Sequence, residues 1–379
     1  MVETRERAEQ TRQSAGPAER SAGGDSIFGH PAIDCDLHPA VPNTQALMPY
    51  FDDYWREQFV NRGVDRLNFA MSSSPPNAPF SARPDWRPKA GVPGSDFEML
   101  KAQALDGFGV KYAIANVIHG AQAMHSEDMA AVFCRAVNDW LAKEWLDRDA
   151  RLRGSILVPT ENAELAVEEI ERRAGDRRFV QVLLPAMGEK PLGRRAHWPI
   201  YRAAEKHGLP IAVHAGSTYR HAPTSTGWPS YFLEDYVNQS GAFESQLLSL
   251  ISEGVFAKFP DIRFVFSESG FCWVPAFMWR AGKTWRGVRA EVPWVKTAPA
   301  NLIREHVRFT LQPVDAPPDS DILEQIVEQL GSDDMLMFST DYPHWHFEGT
   351  DALPRALAGD LARKVLHDNA MATYTRLHD

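Results

Sequence analysis

The chain has 379 residues, 44% of them hydrophobic and 24% charged, which is the composition of a globular protein long enough to bury a large core. Its formal net charge of −10 argues against nucleic-acid and acidic-membrane partners, both of which need a basic surface. Three scattered cysteines, Cys35, Cys134 and Cys272, exclude a disulfide framework and point to a reducing, cytoplasmic setting, and no stretch approaches the run of about 18 apolar residues that marks a membrane span.

The segment 1–26 is polar, mixes Arg with Glu and lacks the apolar run of a signal peptide, so it reads as a flexible tail. From residue 27 to 379 the chain reads as one domain. Eight short apolar runs follow: Ala32–Asp36, Tyr112–Val117, Gly154–Val158, Phe179–Leu184, Pro210–Val213, Arg263–Ser267, Val307–Leu311 and Met335–Ser339. Most are nearly continuous in Val, Ile, Leu and Phe, as strands covered on both faces are.

Helical patterns separate them. Over Asp128–Leu146, Met129, Phe133, Ala136, Val137, Trp140, Leu141 and Trp145 recur at helical spacing, which predicts an amphipathic helix. Ala163–Arg173, Trp198–Lys206, Phe243–Glu253, Asp321–Leu330 and Ala352–His367 are predicted helices as well; three of them end at Gly208, Gly254 and Gly331. Alternating strands and helices imply parallel pairing, and eight strands imply a closed (β/α)8 barrel of the TIM type. No glycine-rich phosphate loop follows the first run, which argues against a dinucleotide-binding sheet. Three connections are long: Pro39–Ser95, Ala215–Gly241 and Gly270–Arg304. All leave the C-terminal ends of strands, where barrel enzymes build their active sites. Their aromatic residues suit pocket walls or the interface of a homo-oligomer.

The strand ends carry the chemistry. The first ends in Asp34-Cys35-Asp36-Leu37-His38, the fifth in Val213-His214, the sixth in Ser267-Glu268 and the eighth in Ser339-Thr340-Asp341-Tyr342-Pro343-His344-Trp345-His346. Alternation along the first strand predicts Asp34, Asp36 and His38 on one face, with Cys35 turned away. In a barrel these ends converge on one mouth, and buried carboxylates close to one another need a cation. The expected metal ligands are Asp36, His38, His214, Glu268 and Asp341. Imidazole with carboxylate admits zinc, manganese or iron, and three carboxylates leave room for a dinuclear site with a bridging carboxylate.

Taken in order, Asp36-x-His38, Asn138-Asp139-Trp140, Val213-His214-Ala215-Gly216, Glu268-Ser269-Gly270, Ser339-Thr340-Asp341-Tyr342-Pro343-His344 and Asn369-Ala370 make the chain resemble the amidohydrolase superfamily. The resemblance is to its amidohydrolase-related branch, which includes aminocarboxymuconate-semialdehyde decarboxylase, and runs from about Ile33 to Tyr374. It implies that the family's first-strand His-x-His pair falls on Asp36 and His38, its fifth-strand ligand on His214 and its eighth-strand aspartate on Asp341. The sixth-strand histidine falls on Glu268. The fourth strand carries Gln181-Val182-Leu183-Leu184, with no lysine to bridge two metals.

Three activities share such a site. The leading expectation is hydrolysis of a small organic acid, ester, lactone or amide, with Asp341 or Glu268 taking the proton of a metal-bound water and His344 assisting. The alternatives are non-oxidative decarboxylation of an aromatic or unsaturated acid, and oxygen chemistry at two irons with Glu268 as a ligand. A non-catalytic scaffold has no use for clustered carboxylates at the mouth. His119, Arg280, Trp228 and Trp273 are candidate contacts to a small-molecule substrate.

Overall fold

The computed structural model describes residues 26–66, 82–317, 319–347 and 349–378; the expected tail, Ser26 apart, and residues 67–81 of the first long connection lie outside them. Eight parallel strands form one sheet in sequential order: β1 Ile33–Leu37, β2 Tyr112–Ala115, β3 Leu152–Leu157, β4 Phe179–Met187, β5 Ile211–Ser217, β6 Phe264–Ser267, β7 Val307–Thr310 and β8 Leu336–Met337. The last strand returns to the first: Cys35 donates its N–H to Phe338 at 2.9 Å, Asp341 to Asp36 at 2.9 Å and His38 to Tyr342 at 2.8 Å. The sheet therefore closes, and the fold is a (β/α)8 barrel. Among the described residues no helix is long and apolar enough to cross a membrane.

Inside the ring the side chains form tiers. Ile33, Ile114, Val180, Val265 and Met337, from β1, β2, β4, β6 and β8, pack in one small apolar cluster with Tyr374 and Leu377. Strands that are not neighbours meet this way only in the middle of a barrel. Arg376 helps seal that end, donating to the carbonyls of Phe179 at 2.8 Å and His207 at 3.1 Å. Toward the other end lies a polar tier: Gln181 donates to Asn116 Oδ1 at 3.1 Å and to Ser155 Oγ at 2.9 Å, and Ser155 donates to Asn116 Oδ1. The strand ends that carry the acidic and imidazole groups stand beyond it.

Several expected boundaries move. The helix over Asp128–Leu146 is α-helical over Glu127–Leu141 and widens into a π turn at Ala142–Leu146. Phe243–Glu253 starts earlier, as Gln239–Ser252. Ala352–His367 is not one helix: Pro354 interrupts it, and continuous helix begins at Asp360 and runs through Thr373. The connection Gly270–Arg304 is largely two helices, Val274–Val288 and Pro299–His306, each with proline in its first turn, where the missing N–H costs nothing.

The expectation of strict alternation in β1 also fails in part. Its register with β2 shifts between Asp34 and Leu37. Cys35 joins the interior apolar cluster with Ile33 instead of turning away. Asp34 departs from its expected neighbours and accepts from Thr340 N at 2.9 Å and Thr340 Oγ1 at 2.5 Å. Burial pushes its carboxyl up to about 7, against those hydrogen bonds.

Candidate metal centre

Asp36 and His38 leave the end of β1, His214 lies within β5, and Asp341 follows β8. The barrel brings all four together: their donor atoms lie within 4.8 Å of one another, and all four residues are buried. His38 Nε2 is 2.8 Å from Asp341 Oδ1 and 3.2 Å from Asp36 Oδ1. His214 Nε2 is 3.5 Å from Asp36 Oδ2 and 3.7 Å from Glu268 Oε2. The rings of His38 and His214 meet edge to face at 4.9 Å.

Hydrogen bonds on the far side of each imidazole set its tautomer. His38 Nδ1 donates to the Asn116 carbonyl at 2.9 Å, and His214 Nδ1 to its neighbour Ala215 at 2.6 Å. Each Nε2 is turned toward the carboxylates, and in the neutral imidazole it carries the lone pair that a metal ion takes. Asn116 Nδ2 donates to Asp36 Oδ1 at 2.7 Å, so one residue after β2 orients both groups of β1. Asp36 Oδ2 and His214 Nε2 are buried without a hydrogen-bond partner. Buried polar atoms are costly to leave unpaired, and a divalent cation among these four residues satisfies both. Two imidazoles and two carboxylates suit zinc, manganese, iron or cobalt.

Glu268 and Asp341 share a backbone feature. Their φ angles are 61° and 53°, in the left-handed region that costs an L-residue roughly 1–2 kcal/mol. Glycine would remove that strain but also the carboxylate, and such strain gathers at functional sites. Glu268 N–H donates to Thr310 Oγ1 at 3.2 Å, and its Oε1 accepts from the Tyr236 hydroxyl at 3.2 Å. His344 Nδ1 is 2.7 Å from Asp341 Oδ1 and 3.7 Å from Glu268 Oε1. His346 Nε2 abuts Asp341 Oδ2, and its Nδ1 is 3.3 Å from the Tyr236 hydroxyl.

The electrostatics follow from these contacts. Burial works against ionisation of Asp36, yet His214 and His38 hold it below the usual carboxylate range. Burial opposes ionisation of Asp341 too, and His344 and His346 hold it well below. Glu268 moves the other way, raised by burial and by the charge of Asp341. Burial lowers the affinity of His38 for a proton, but Asp36 and Asp341 raise its pKa to about 10. The field that attracts a proton to these imidazoles attracts a metal ion equally.

Of the expected ligands, Asp36, His38, His214 and Asp341 form one group, while Glu268 falls with Asp341, His344 and His346 in a second. The substrate-contact candidates belong to neither group. Trp228 is 62% exposed and stacks on Tyr219. Arg280 is exposed on the helix Val274–Val288. His119 is buried, accepts from Ala121 N at 3.1 Å and stacks over Phe133. Trp273 donates to the carbonyl of Ser269, the residue after Glu268, at 3.0 Å. Asn116, Tyr236 and His346 had no assigned role in the sequence. A polar residue directly after an apolar strand pointed to Asn116, and the His344-x-His346 spacing pointed to His346; nothing local pointed to Tyr236.

Comparison with known proteins places this geometry among relatives. The sequence profile of the amidohydrolase family matches residues 33–376. A gamma-resorcylate decarboxylase of Polaromonas sp. is 24% identical over 289 residues, covering 73% of this chain and 84% of that protein. A second, from Rhodococcus jostii, is 24% identical over 280 residues, covering 66% and 82%. Among solved structures, a 5-carboxyvanillate decarboxylase of Novosphingobium aromaticivorans with bound manganese superposes with a TM-score of 0.69 at 18% identity, over 94% of this chain and all of that one.

Proposed function

Because the chain belongs to the amidohydrolase family, and its barrel mouth gathers two imidazoles and two carboxylates, we propose that it is a metal-dependent decarboxylase of a hydroxylated aromatic acid. What supports this assignment is that gamma-resorcylate decarboxylases match most of its length, while this chain gathers four buried potential metal ligands at its barrel mouth. Decarboxylation therefore replaces hydrolysis as the leading activity.

The reaction exchanges a carboxylate for a proton on a ring carbon and releases carbon dioxide, with no oxidant consumed. Asp36, His38, His214 and Asp341 would hold a divalent cation, which when bound would supply the positive charge that attracts an anionic substrate and draws electrons from it. Asn116 fixes the directions of Asp36 and His38, so the group is preorganised before substrate arrives. The arriving proton is supplied from the Glu268 side, where the Tyr236 hydroxyl and the Glu268 carboxyl are hydrogen-bonded at 3.2 Å. Burial of these groups excludes water, which strengthens each electrostatic contact.

The test is incubation of manganese-loaded protein with 2,6-dihydroxybenzoate and a panel of hydroxybenzoic acids, without oxygen and in deuterated water. The expected result is carbon dioxide release with one deuterium on the ring carbon that carried the carboxylate. Release that requires oxygen, or none across the panel, overturns the assignment.

A further inference from the structure

Asp341 belongs to two groups of potential ligands at once. Asp36, His38, His214 and Asp341 form the first. Glu268, Asp341, His344 and His346 form the second, and within each the donor atoms lie within 4.8 Å of one another. Ligands held about 2.0–2.2 Å from a common ion stand roughly 3–4.4 Å apart, so each group is of a size to close on one ion. We infer that Glu268, His344 and His346, with Asp341 shared, form a second divalent-cation site beside the first, and that the Asp341 carboxylate bridges the pair.

The orientation of the second group supports this independently of the first. The side chain of His346 is only 8% exposed, and its buried Nε2 abuts Asp341 Oδ2. The Tyr236 hydroxyl has a single proton, donated to Glu268 Oε1. Its contact with His346 Nδ1 at 3.3 Å therefore requires the imidazole to donate. That places a proton on Nδ1 and turns Nε2, which carries the lone pair in the neutral imidazole, toward Asp341 Oδ2. These two atoms facing each other in a buried place repel unless a cation, either a proton or a metal ion, joins them. One tyrosine hydroxyl thus orders two of the four ligands, as Asn116 does on the other side. His344 adds Nδ1, 2.7 Å from Asp341 Oδ1 and 3.7 Å from Glu268 Oε1.

Imidazole and carboxylate donors select transition ions such as manganese, iron and zinc over magnesium and calcium. In paired sites the ions stand about 3.5–4 Å apart, a span that one bridging carboxylate covers. With Glu268 taken up as a ligand, the Tyr236 hydroxyl is the proton-bearing group left beside it. The second site goes beyond the proposed decarboxylation and does not depend on it.

The test strips purified full-length protein of metal, reconstitutes it with manganese(II), removes the excess and measures bound metal by mass spectrometry. The expected content is about two ions per chain, falling to about one in His346→Gln and in His344→Gln. Paramagnetic resonance of the unmutated protein checks the same point without any variant: a bridged pair gives a spin-coupled signal that an isolated ion cannot give. One ion per chain without coupling, or two ions retained in both variants, overturns the inference. Carbon dioxide release is scored separately. A one-ion protein that decarboxylates removes the second site and leaves the function standing, and a two-ion protein that does not decarboxylate does the reverse.

Discussion

His38 and Asp341 meet at 2.8 Å across the seam where the barrel closes, although 303 positions separate them in sequence. The N–H of Asp341 donates to the Asp36 carbonyl and that of His38 to the Tyr342 carbonyl, so the hydrogen bonds that shut the ring also set the ligands. Asp341→Asn keeps the size of the side chain and removes its charge. The expected outcome is loss of metal from both groups and a fall in metal affinity of more than about 100-fold, since altering a mere partner of a ligand costs about 10–100-fold. Competition with a fluorescent chelator measures it. Unchanged affinity counts against Asp341 as a ligand.

Asn116 is such a partner, bonded to both Asp36 and His38. Asn116→Ala removes the donor to Asp36 and leaves the backbone acceptor of His38 in place. Metal affinity is expected to drop about 10–100-fold, with the ion count at saturation unchanged. A reduced count at saturating metal would show that Asn116 does more than orient its neighbours.

Much of the barrel was legible because buried parallel strands write themselves as short runs of Val, Ile, Leu and Phe, and helices as amphipathic spacing. Asp36, His38, His214 and Asp341 were legible because a polar group at the end of an apolar strand has one destination in a barrel. Asp34 was misplaced because a register shift cannot be read from alternation. Tyr236 was invisible because it sits on a short helix, Phe232–Val237, in the connection after β5, and its approach to Glu268 depends on how that connection folds. The stretch Gly270–Arg304 was read as one long connection because its aromatic content masked two helices, although Pro275 and Pro299 already marked their starts.

Thr340 supplies two of the hydrogen bonds that reach the buried Asp34 carboxyl. Thr340→Val keeps the shape and removes the hydroxyl, leaving a buried carboxyl oxygen short of a donor. The expected loss of stability is about 1–3 kcal/mol, read as a lower midpoint in urea unfolding with the slope unchanged. An unaltered midpoint would show that another group takes over the bond.

Metal removal should unsettle the fold as well as the chemistry. Asp36, Asp341 and Glu268 crowd together with little solvent around them, and an ion that binds only the folded state stabilises it by about 2.7 kcal/mol at 100 times its dissociation constant. A chelator is expected to lower the melting temperature, and manganese or zinc to restore it. Calcium should restore it poorly, given the imidazole ligands. Equal melting temperatures with and without chelator would argue that the folded chain holds no divalent ion at all.

His119 gives a pH dependence separable from the metal. Burial lowers its pKa from the ordinary 6.5 to about 4. Between those values the unfolded chain binds a proton that the folded chain refuses, so stability falls as pH falls through that window and levels off below it. One group of this kind contributes a slope of up to about 1.4 kcal/mol per pH unit. His119→Asn retains an acceptor for the Ala121 N–H and cannot titrate. Urea unfolding between pH 7 and 4.5 should therefore give a shallower decline for the variant than for the unmutated chain. Parallel declines would mean that His119 is protonated in the folded protein and that its burial is relieved by a rearrangement.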